Sequence, residues 1–186
     1  MRIVAGKYGS RRIETRSSND TRPTLDKVRE AVFSSLGGSF QGGAFLDLYA
    51  GSGANGLEGL SRGMDKAVFV DLSKDAVQII RKNIASLQCE ADTEVYCMKD
   101  TKALALLAEK KHKFQVVYLD PPYALQHNEE ILQYLDDHEM VEANGVVVIE
   151  SVKSDHFEKN YAHLKYLFDR EYGISRITYY RYEANV

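Results

Sequence analysis

The chain has 186 residues, of which 44% are hydrophobic and 27% charged, and its formal net charge is −3. That length can bury the core of one domain, and no apolar run approaches the ~20 residues that a membrane span requires. The first seven residues lack the apolar segment of a signal peptide, so we expect a cytoplasmic protein. Cys89 and Cys97 lack zinc-ligand spacing, and two cysteines make no disulfide framework.

Positive charge is concentrated at the N-terminus. Residues 1–30 contain eight Lys/Arg and four Asp/Glu, whereas the remaining residues contain 16 Lys/Arg and 23 Asp/Glu. Residues 2–5 and 11–14 are short strand candidates around Gly6-Lys7-Tyr8-Gly9, a pattern that predicts a basic hairpin. A basic segment on an acidic body favours a polyanionic partner, although the same charges can simply keep the segment soluble.

Helix and strand patterns follow in order. Thr24 is a candidate N-cap for a helix over residues 25–36, which Gly37-Gly38 ends. Strands are then predicted at 44–49, 66–71, 93–98, 114–120 and 145–150. They alternate with helices at 53–62, 73–87, 101–109, 129–135 and 155–162. This alternation predicts βαβ units and a parallel sheet. Residues 164–172 and 175–183 are separated only by Gly173-Ile174, which permits an antiparallel hairpin but no parallel crossover.

A rigid polar turn follows the fourth predicted strand. The apolar residues 116–119 lead into Asp120-Pro121-Pro122-Tyr123, where the prolines end the strand because neither can donate to a ladder. Ligands of open parallel sheets bind at this carboxyl edge. Asp120 and the Pro121 carbonyl can accept hydrogen bonds from an exocyclic amine, and Tyr123 can stack on the ring that carries the amine. The turn therefore predicts capture of a planar aromatic amine.

A glycine-rich loop follows the first predicted strand. Gly51, Gly53 and Gly56 match G-x-G-x-x-G, and Asp71 lies 20 residues after Gly51, where a carboxylate can bind ribose hydroxyls. Taken alone, this pattern fits a nicotinamide-dependent oxidoreductase. Asp47, ahead of the glycines, suits a ligand with an ammonium group, and Asp100 is placed to reach an adenine edge. Together with the turn at Asp120, these carboxylates favour S-adenosylmethionine.

Four segments in this order resemble the ribosomal RNA small-subunit methyltransferase D family over nearly the whole chain. They are Arg2-Ile3-Val4-Ala5-Gly6 with Arg11-Arg12; Thr21-Arg22-Pro23-Thr24 with Lys27-Val28-Arg29-Glu30; Leu46-Asp47-Leu48-Tyr49-Ala50-Gly51-Ser52-Gly53 with Gly56-Leu57-Glu58; and Leu119-Asp120-Pro121-Pro122-Tyr123. Asn55 departs from the pattern, since an apolar residue is expected at that place in the loop.

The resemblance implies a Rossmann-like α/β fold with helices on both faces of a seven-stranded sheet. The implied strand order is 3-2-1-4-5-7-6, with the last strand antiparallel. It also implies a bacterial enzyme that uses S-adenosylmethionine to methylate a guanine N2 amine in small-subunit (16S) ribosomal RNA. The expected partner is this RNA or the assembling small ribosomal subunit, and we expect a monomer without a metal. We expect one domain over residues 1–186, with an RNA-binding hairpin and helix at 1–40 and a catalytic core at 41–186.

The site residues are predicted from the turn, the glycine loop and the charge pattern described above, together with this resemblance. The catalytic residues are Asp120, Pro121 and Tyr123. The cofactor-binding residues are Asp47, Gly51, Gly53, Asp71, Asp100, Arg22 and Thr24. The RNA-binding residues are Arg2, Lys7, Arg11 and Arg12.

Three alternatives stay open at this point. Asp-Pro-Pro-Tyr serves an adenine N6 amine, in DNA or RNA, as well as a guanine N2 amine. The glycine loop also suits an NAD-dependent oxidoreductase. A catalytically silent RNA-binding module is disfavoured because Asp120-Pro121-Pro122-Tyr123 is intact.

Overall fold

The computed structural model describes residues 1–16 and 23–184, with the side chains of Pro23 and Thr24 left aside. These residues form two compact units, 1–100 and 101–186. Among the described residues, no helix is long and apolar enough to cross a membrane. Arg22 lies outside the described residues, as does the side chain of Thr24, so their assignments stay predictions.

The first unit alternates helices and strands. Its elements are α1 (Pro23–Ser35), β1 (Ala44–Leu48), α2 (Ala54–Ser61), β2 (Lys66–Asp71), α3 (Lys74–Leu87) and β3 (Thr93–Cys97). β2 pairs in parallel with both β1 and β3. The near-continuous apolar sequences of β1 and β2 are typical of parallel strands buried on both faces, and Phe45, Leu46, Val68 and Phe69 are fully buried.

The N-terminal segment, residues 1–16, is called the arm below. It folds back on itself as predicted, but through a single antiparallel bridge between Arg2 and Arg12 instead of two regular strands. Ile3 N–H donates to the Arg11 carbonyl at 2.9 Å, and Ser10 N–H donates to the Ile3 carbonyl at 2.8 Å. Ile3 and Ile13 are buried, so the arm is anchored by its apolar residues.

The second unit begins within α4 (Asp100–Glu109), whose first residue closes the first unit. It continues with β4 (Phe114–Leu119), α5 (Asn128–Asp137), β5 (Val141–Val152), β6 (Leu164–Tyr172) and β7 (Ser175–Tyr182). β5 runs parallel to β4, and β7 pairs antiparallel with both β5 and β6. The seven strands have the order β3-β2-β1-β4-β5-β7-β6, which confirms the predicted topology and the antiparallel last strand.

The predicted helix over residues 155–162 is wrong. Phe157 and Tyr161 are buried at a spacing of four, which imitates a helical stripe. The backbone here instead bonds to the terminal hairpin. The Lys159 carbonyl accepts from Tyr180 Oη at 2.8 Å, and Tyr161 N–H donates to the Leu164 carbonyl at 2.8 Å. Tertiary bonds have replaced the intrahelical ones.

β5 also begins four residues earlier than predicted. Its register shifts where Phe114 pairs with Val141 but Val116 pairs with Val146, so β5 contains extra residues opposite β4. This irregularity accommodates Glu142, Ala143 and Asn144, which are exposed, and Asn144 has a positive φ of 64°. Polar, exposed residues at a bulge carry no strand pattern, so the sequence could not predict this part of β5.

Candidate active site

The glycine loop of the first unit joins β1 to α2. Tyr49, Gly51 and Gly53 all have positive φ, at 63°, 60° and 83°. Among the described residues, no atom beyond its chain neighbours lies within 4 Å of a Cβ atom placed on Gly51, so these residues leave the backbone there open to a ligand. The first turn of a helix also presents N–H groups without intrahelical partners. The loop therefore has the form that receives a polar or anionic group of a cofactor.

Gly56, the third glycine of the motif, has a different role. A Cβ atom at this position would lie 2.4 Å from Cε1 of Phe69, far inside van der Waals contact. The absence of a side chain at Gly56 lets α2 pack closely on β2. The motif thus divides into ligand-facing backbone at Gly51 and helix–strand packing at Gly56.

Asp47 lies beneath this loop and is 1% exposed. Its Oδ2 accepts from the Gly56 amide at 2.9 Å, so the carboxylate holds the start of α2. The predicted contact of Asp47 with a ligand ammonium stays a prediction, and the observed bond gives Asp47 a loop-fixing function as well.

Asp71, the last residue of β2, is half-buried. Its Oδ2 accepts from the Gly51 amide at 2.9 Å and its Oδ1 accepts from the Ser73 amide at 2.9 Å. A carboxylate offers about four lone-pair sites. Asp71 can therefore hold the glycine loop and still accept from ribose hydroxyls.

Asp100 begins α4 and is bound by a residue that sequence reasoning missed. The Tyr49 hydroxyl donates to Asp100 Oδ2 at 2.6 Å. Burial of the phenol, together with this hydrogen bond and the charge of Asp100, raises the pKa of Tyr49 far above its ordinary value. Tyr49 is thus a neutral donor that fixes the Asp100 carboxylate. The sequence signal that could have identified Tyr49 is its position between the end of β1 and Gly51.

The predicted catalytic turn, Asp120-Pro121-Pro122-Tyr123, lies in the second unit directly after β4. Residues 123–125 form a short 3₁₀ turn, closed by a bond of 2.9 Å from Leu125 N–H to the Pro122 carbonyl. Pro121 is buried and Asp120 half-buried, whereas the Tyr123 side chain is 47% exposed. An exposed aromatic ring on a turn fixed by two prolines can stack on a planar base.

A cavity of about 390 Å³ adjoins this turn, lined by residues 126–130 and 155–157. These segments follow β4 and β5, two adjacent parallel strands, so the cavity lies at the carboxyl edge of the second unit's strands. Asn128 lines it and is fully buried. Its backbone N–H donates to Gln126 Oε1 at 3.0 Å, but its side-chain amide has no hydrogen-bond partner among the described residues.

The four cations predicted to bind RNA are all exposed on the arm: Arg2, Lys7, Arg11 and Arg12. Arg2 and Arg12 lie opposite each other in the antiparallel bridge, so their side chains share one face. Arg11 also donates to the Ser86 carbonyl on α3 at 2.8 Å. The arm thus presents cations to solvent while its backbone is bound to the first unit.

Glu58 on α2 is the second residue that the sequence did not reveal. Its carboxylate is fully buried and accepts from the amides of Val4 and Ala5 at 2.9 and 3.1 Å. It also accepts from Nε of Arg29 at 3.1 Å and from Nε of Arg62 at 2.8 Å. A charged residue in the apolar stretch Gly56-Leu57-Glu58-Gly59-Leu60 was the signal for this buried ion cluster.

The strand order and the loop after β1 define a Rossmann-like methyltransferase fold. The family model described as "Conserved hypothetical protein 95" matches residues 1–181. The chain belongs to this family, the ribosomal RNA small-subunit methyltransferase D family that its motifs resemble.

Individual relatives agree with this assignment. The chain is 33% identical over 181 residues to a Bacillus subtilis protein named "Putative rRNA methyltransferase YlbH", covering 97% of this chain and 98% of the relative. It is 32% identical over 151 residues to ribosomal RNA small subunit methyltransferase D of Escherichia coli K12, covering 81% of this chain and 74% of the relative. A solved structure of a conserved hypothetical protein from Streptococcus pyogenes has a TM-score of 0.79 at 34% identity, covering 85% of this chain and 97% of that one.

Proposed function

We propose that this protein is an S-adenosylmethionine-dependent methyltransferase that modifies a guanine N2 amine in small-subunit ribosomal RNA. The observation that carries the proposal is the pair of sites on a methyltransferase fold. One is a glycine loop held by Asp47 and Asp71, and the other is a proline-fixed turn with Asp120 and an exposed Tyr123. The names of the relatives support ribosomal RNA as the substrate, and the choice of guanine N2 rests on the family resemblance.

The residues present fit this cofactor. Gly51 leaves open space beside the backbone. Asp71 ends β2 and Asp100 follows the adjacent strand β3, where they can bind ribose hydroxyls and an adenine edge. Asp47, Gly53, Arg22 and Thr24 complete the proposed cofactor site. When bound, S-adenosylmethionine supplies an electrophilic methyl group.

The catalytic turn is proposed to activate the exocyclic amine, which is a weak nucleophile. The lone pair of an exocyclic amine is delocalised into the aromatic ring, so the amine attacks poorly. Asp120 and the Pro121 carbonyl can accept hydrogen bonds from its two N–H groups, which favours a pyramidal nitrogen and directs its lone pair. Asp120 can then take up the amine proton after methyl transfer. Much of the acceleration comes from positioning, since well-oriented reactants gain large effective molarities.

The target base must leave its stack to reach such a site. Tyr123 is proposed to stack on it and replace the lost neighbours, and the cavity at residues 126–130 offers space beside the turn for the nucleotide. The arm, with Arg2, Lys7, Arg11 and Arg12, is proposed to bind the RNA phosphates. In this proposal residues 1–40 are an RNA-binding extension of one methyltransferase domain.

Cofactor identity is tested by a thermal-shift panel. S-adenosylhomocysteine is expected to raise the melting temperature by mass action, with about 2.7 kcal/mol of stabilisation at 100 times its Kd, and NAD is expected to leave it unchanged. Mapping of methylated bases in ribosomal RNA from cells with and without the protein then identifies the modified amine. Stabilisation by NAD alone contradicts the proposal. If the mapped base is N6-methyladenine, the enzyme's target is an adenine N6 amine and not a guanine N2 amine.

The arm gives a second prediction. Replacing Arg11 and Arg12 together by alanine is expected to weaken RNA binding and leave the affinity for S-adenosylhomocysteine unchanged. Each phosphate contact that is lost removes counterion release, which flattens the log–log salt dependence of binding by about 0.7–0.9. The measurement is RNA affinity against salt concentration for wild type and variant.

Lys110 and Lys111 provide the matched control. They form an adjacent pair of exposed cations in the second unit, and replacing both by alanine removes the same charge. We expect this control to keep the wild-type salt slope. Equal slopes and affinities for wild type and the arginine variant would assign RNA binding to another surface.

A further inference from the structure

One buried side chain of α3 bonds to both the arm and the glycine loop. The loop also contacts the arm directly, since Ser52 Oγ donates to Met1 Sδ at 3.9 Å. Asn83 on α3 is 2% exposed, and its amide makes three hydrogen bonds. Oδ1 accepts from the Glu14 amide at 2.8 Å, while Nδ2 donates to the Glu14 carbonyl at 3.0 Å and to the Ser52 carbonyl at 2.9 Å. All three partners are backbone atoms, so these bonds hold the backbone of Glu14 and Ser52 in place.

The two bound segments carry different parts of the proposed chemistry. Glu14 follows Arg11 and Arg12 in the arm, and Ser52 lies between Gly51 and Gly53 in the loop. The arm has other anchors, because the amides of Val4 and Ala5 bond to Glu58 and the Tyr8 amide bonds to Ser61. Those anchors lie on α2, whereas Asn83 reaches the loop itself.

We propose that Asn83 is a positioning residue that holds the arm at a fixed place relative to the cofactor loop. The inference rests on the proposed function, in which the arm binds RNA and the loop binds S-adenosylmethionine. Bound RNA is then presented in one orientation, which the reaction requires. A displacement of about 1 Å can cost roughly 10²-fold in rate.

The three hydrogen bonds require an amide side chain at position 83. An asparagine amide provides one acceptor and two donor hydrogens, which is what one N–H and two carbonyl groups need. In Asn83→Asp, a carboxylate oxygen would face the carbonyl oxygens of Glu14 and Ser52 and could donate to neither. Asn83→Ala leaves all three backbone groups without this partner. Both changes free the C-terminal end of the arm and leave its cations in place.

The test separates binding from reaction. For Asn83→Ala and Asn83→Asp, single-turnover methyl transfer at saturating RNA and cofactor is expected to fall about 10- to 100-fold. The Kd for RNA is expected to change less than about threefold, because the phosphate contacts remain. Hydrogen exchange is expected to show lost protection of the Glu14 amide. The arginine double variant should differ from the Asn83 variants by a clearly raised RNA Kd.

Lys82→Ala is the matched control. Lys82 neighbours Asn83 on α3 and contacts Glu14 only through an exposed ion pair of 3.9 Å between their side chains. We expect wild-type rates and Glu14 protection for this variant. Asn83→Ser, which keeps a hydroxyl in the buried position, replaces Asn83→Ala if the alanine variant does not fold.

Two outcomes overturn the proposal. In the first, the folded Asn83 variants keep wild-type single-turnover rates although the Glu14 amide has lost its protection, and Asn83 then has a purely structural function. In the second, the rate falls and the RNA Kd rises by a similar factor, and Asn83 then supports RNA binding instead of orientation. Wild-type protein that transfers no methyl group to RNA refutes the proposed function, and this result is obtained before any variant is compared.

Discussion

Asp120→Ala is expected to lower the rate of methyl transfer to RNA by on the order of 10²-fold or more. Asp120 lies half-buried at the end of β4, beside the buried Pro121, and is the carboxylate of the catalytic turn. Its loss removes one of the two proposed acceptors that orient the amine. Affinity for S-adenosylhomocysteine should stay near wild type, because the proposed cofactor residues belong to the other unit. Single-turnover kinetics measures the rate of methyl transfer, and calorimetry measures the affinity for S-adenosylhomocysteine.

Two further variants sharpen this experiment. Asp120→Asn keeps one acceptor oxygen but cannot take up a proton, so its rate should fall between those of wild type and Asp120→Ala. Asp137→Ala is the control, since Asp137 is an exposed carboxylate in the same unit that accepts from Gln133 at 2.8 Å. Near-normal turnover of Asp120→Ala would remove Asp120 from the mechanism.

The strands and the terminal hairpin were predictable because their signals are local, whereas the strand order came from the family resemblance. β-Branched and aromatic runs bounded by glycine or proline mark the strands, and a two-residue link allows only an antiparallel hairpin. The helix predicted over residues 73–87 has a local signal as well, because the Ser73 hydroxyl accepts from the Ala76 amide at its start. Residues 155–162 failed because two aromatics at a spacing of four describe a helix and an irregular segment packed on a hairpin equally well.

Within the candidate site, residue types were predictable but their partners were not. Asp47 and Asp71 were singled out as ligand contacts, yet each also accepts from a glycine-loop amide. Glu58 was named only as part of a family segment, without a role, and Asn83 was not named at all. Their partners in the arm are backbone groups 53 to 69 residues away in sequence. A backbone amide has no residue type, so no motif or periodicity can encode such a contact.

Glu58→Ala is expected to have the largest effect on stability. It removes the acceptors of the Val4 and Ala5 amides and leaves Arg29 and Arg62, which are 4% and 7% exposed, without their shared counter-charge. Breaking a buried ion pair by removing one partner typically costs about 3–5 kcal/mol. Asp26 still pairs with Arg29 at 3.0 Å, so Arg62 carries most of the uncompensated charge. Urea denaturation should show this loss in the free energy of unfolding.

Comparison of two further variants identifies the cause of the loss. Glu58→Gln keeps one acceptor oxygen and removes the charge, so a smaller loss than that of Glu58→Ala is expected, together with partial protection of the Val4 and Ala5 amides in hydrogen exchange. Glu14→Ala removes an arm carboxylate whose ion pair with Lys82 is exposed, and exposed pairs contribute about 0–1 kcal/mol. If Glu58→Ala costs no more than Glu14→Ala, the two arginines are satisfied without Glu58 and the buried cluster does not hold the arm. A large loss for Glu58→Ala with full amide protection would instead place the effect in the contact between α1 and α2.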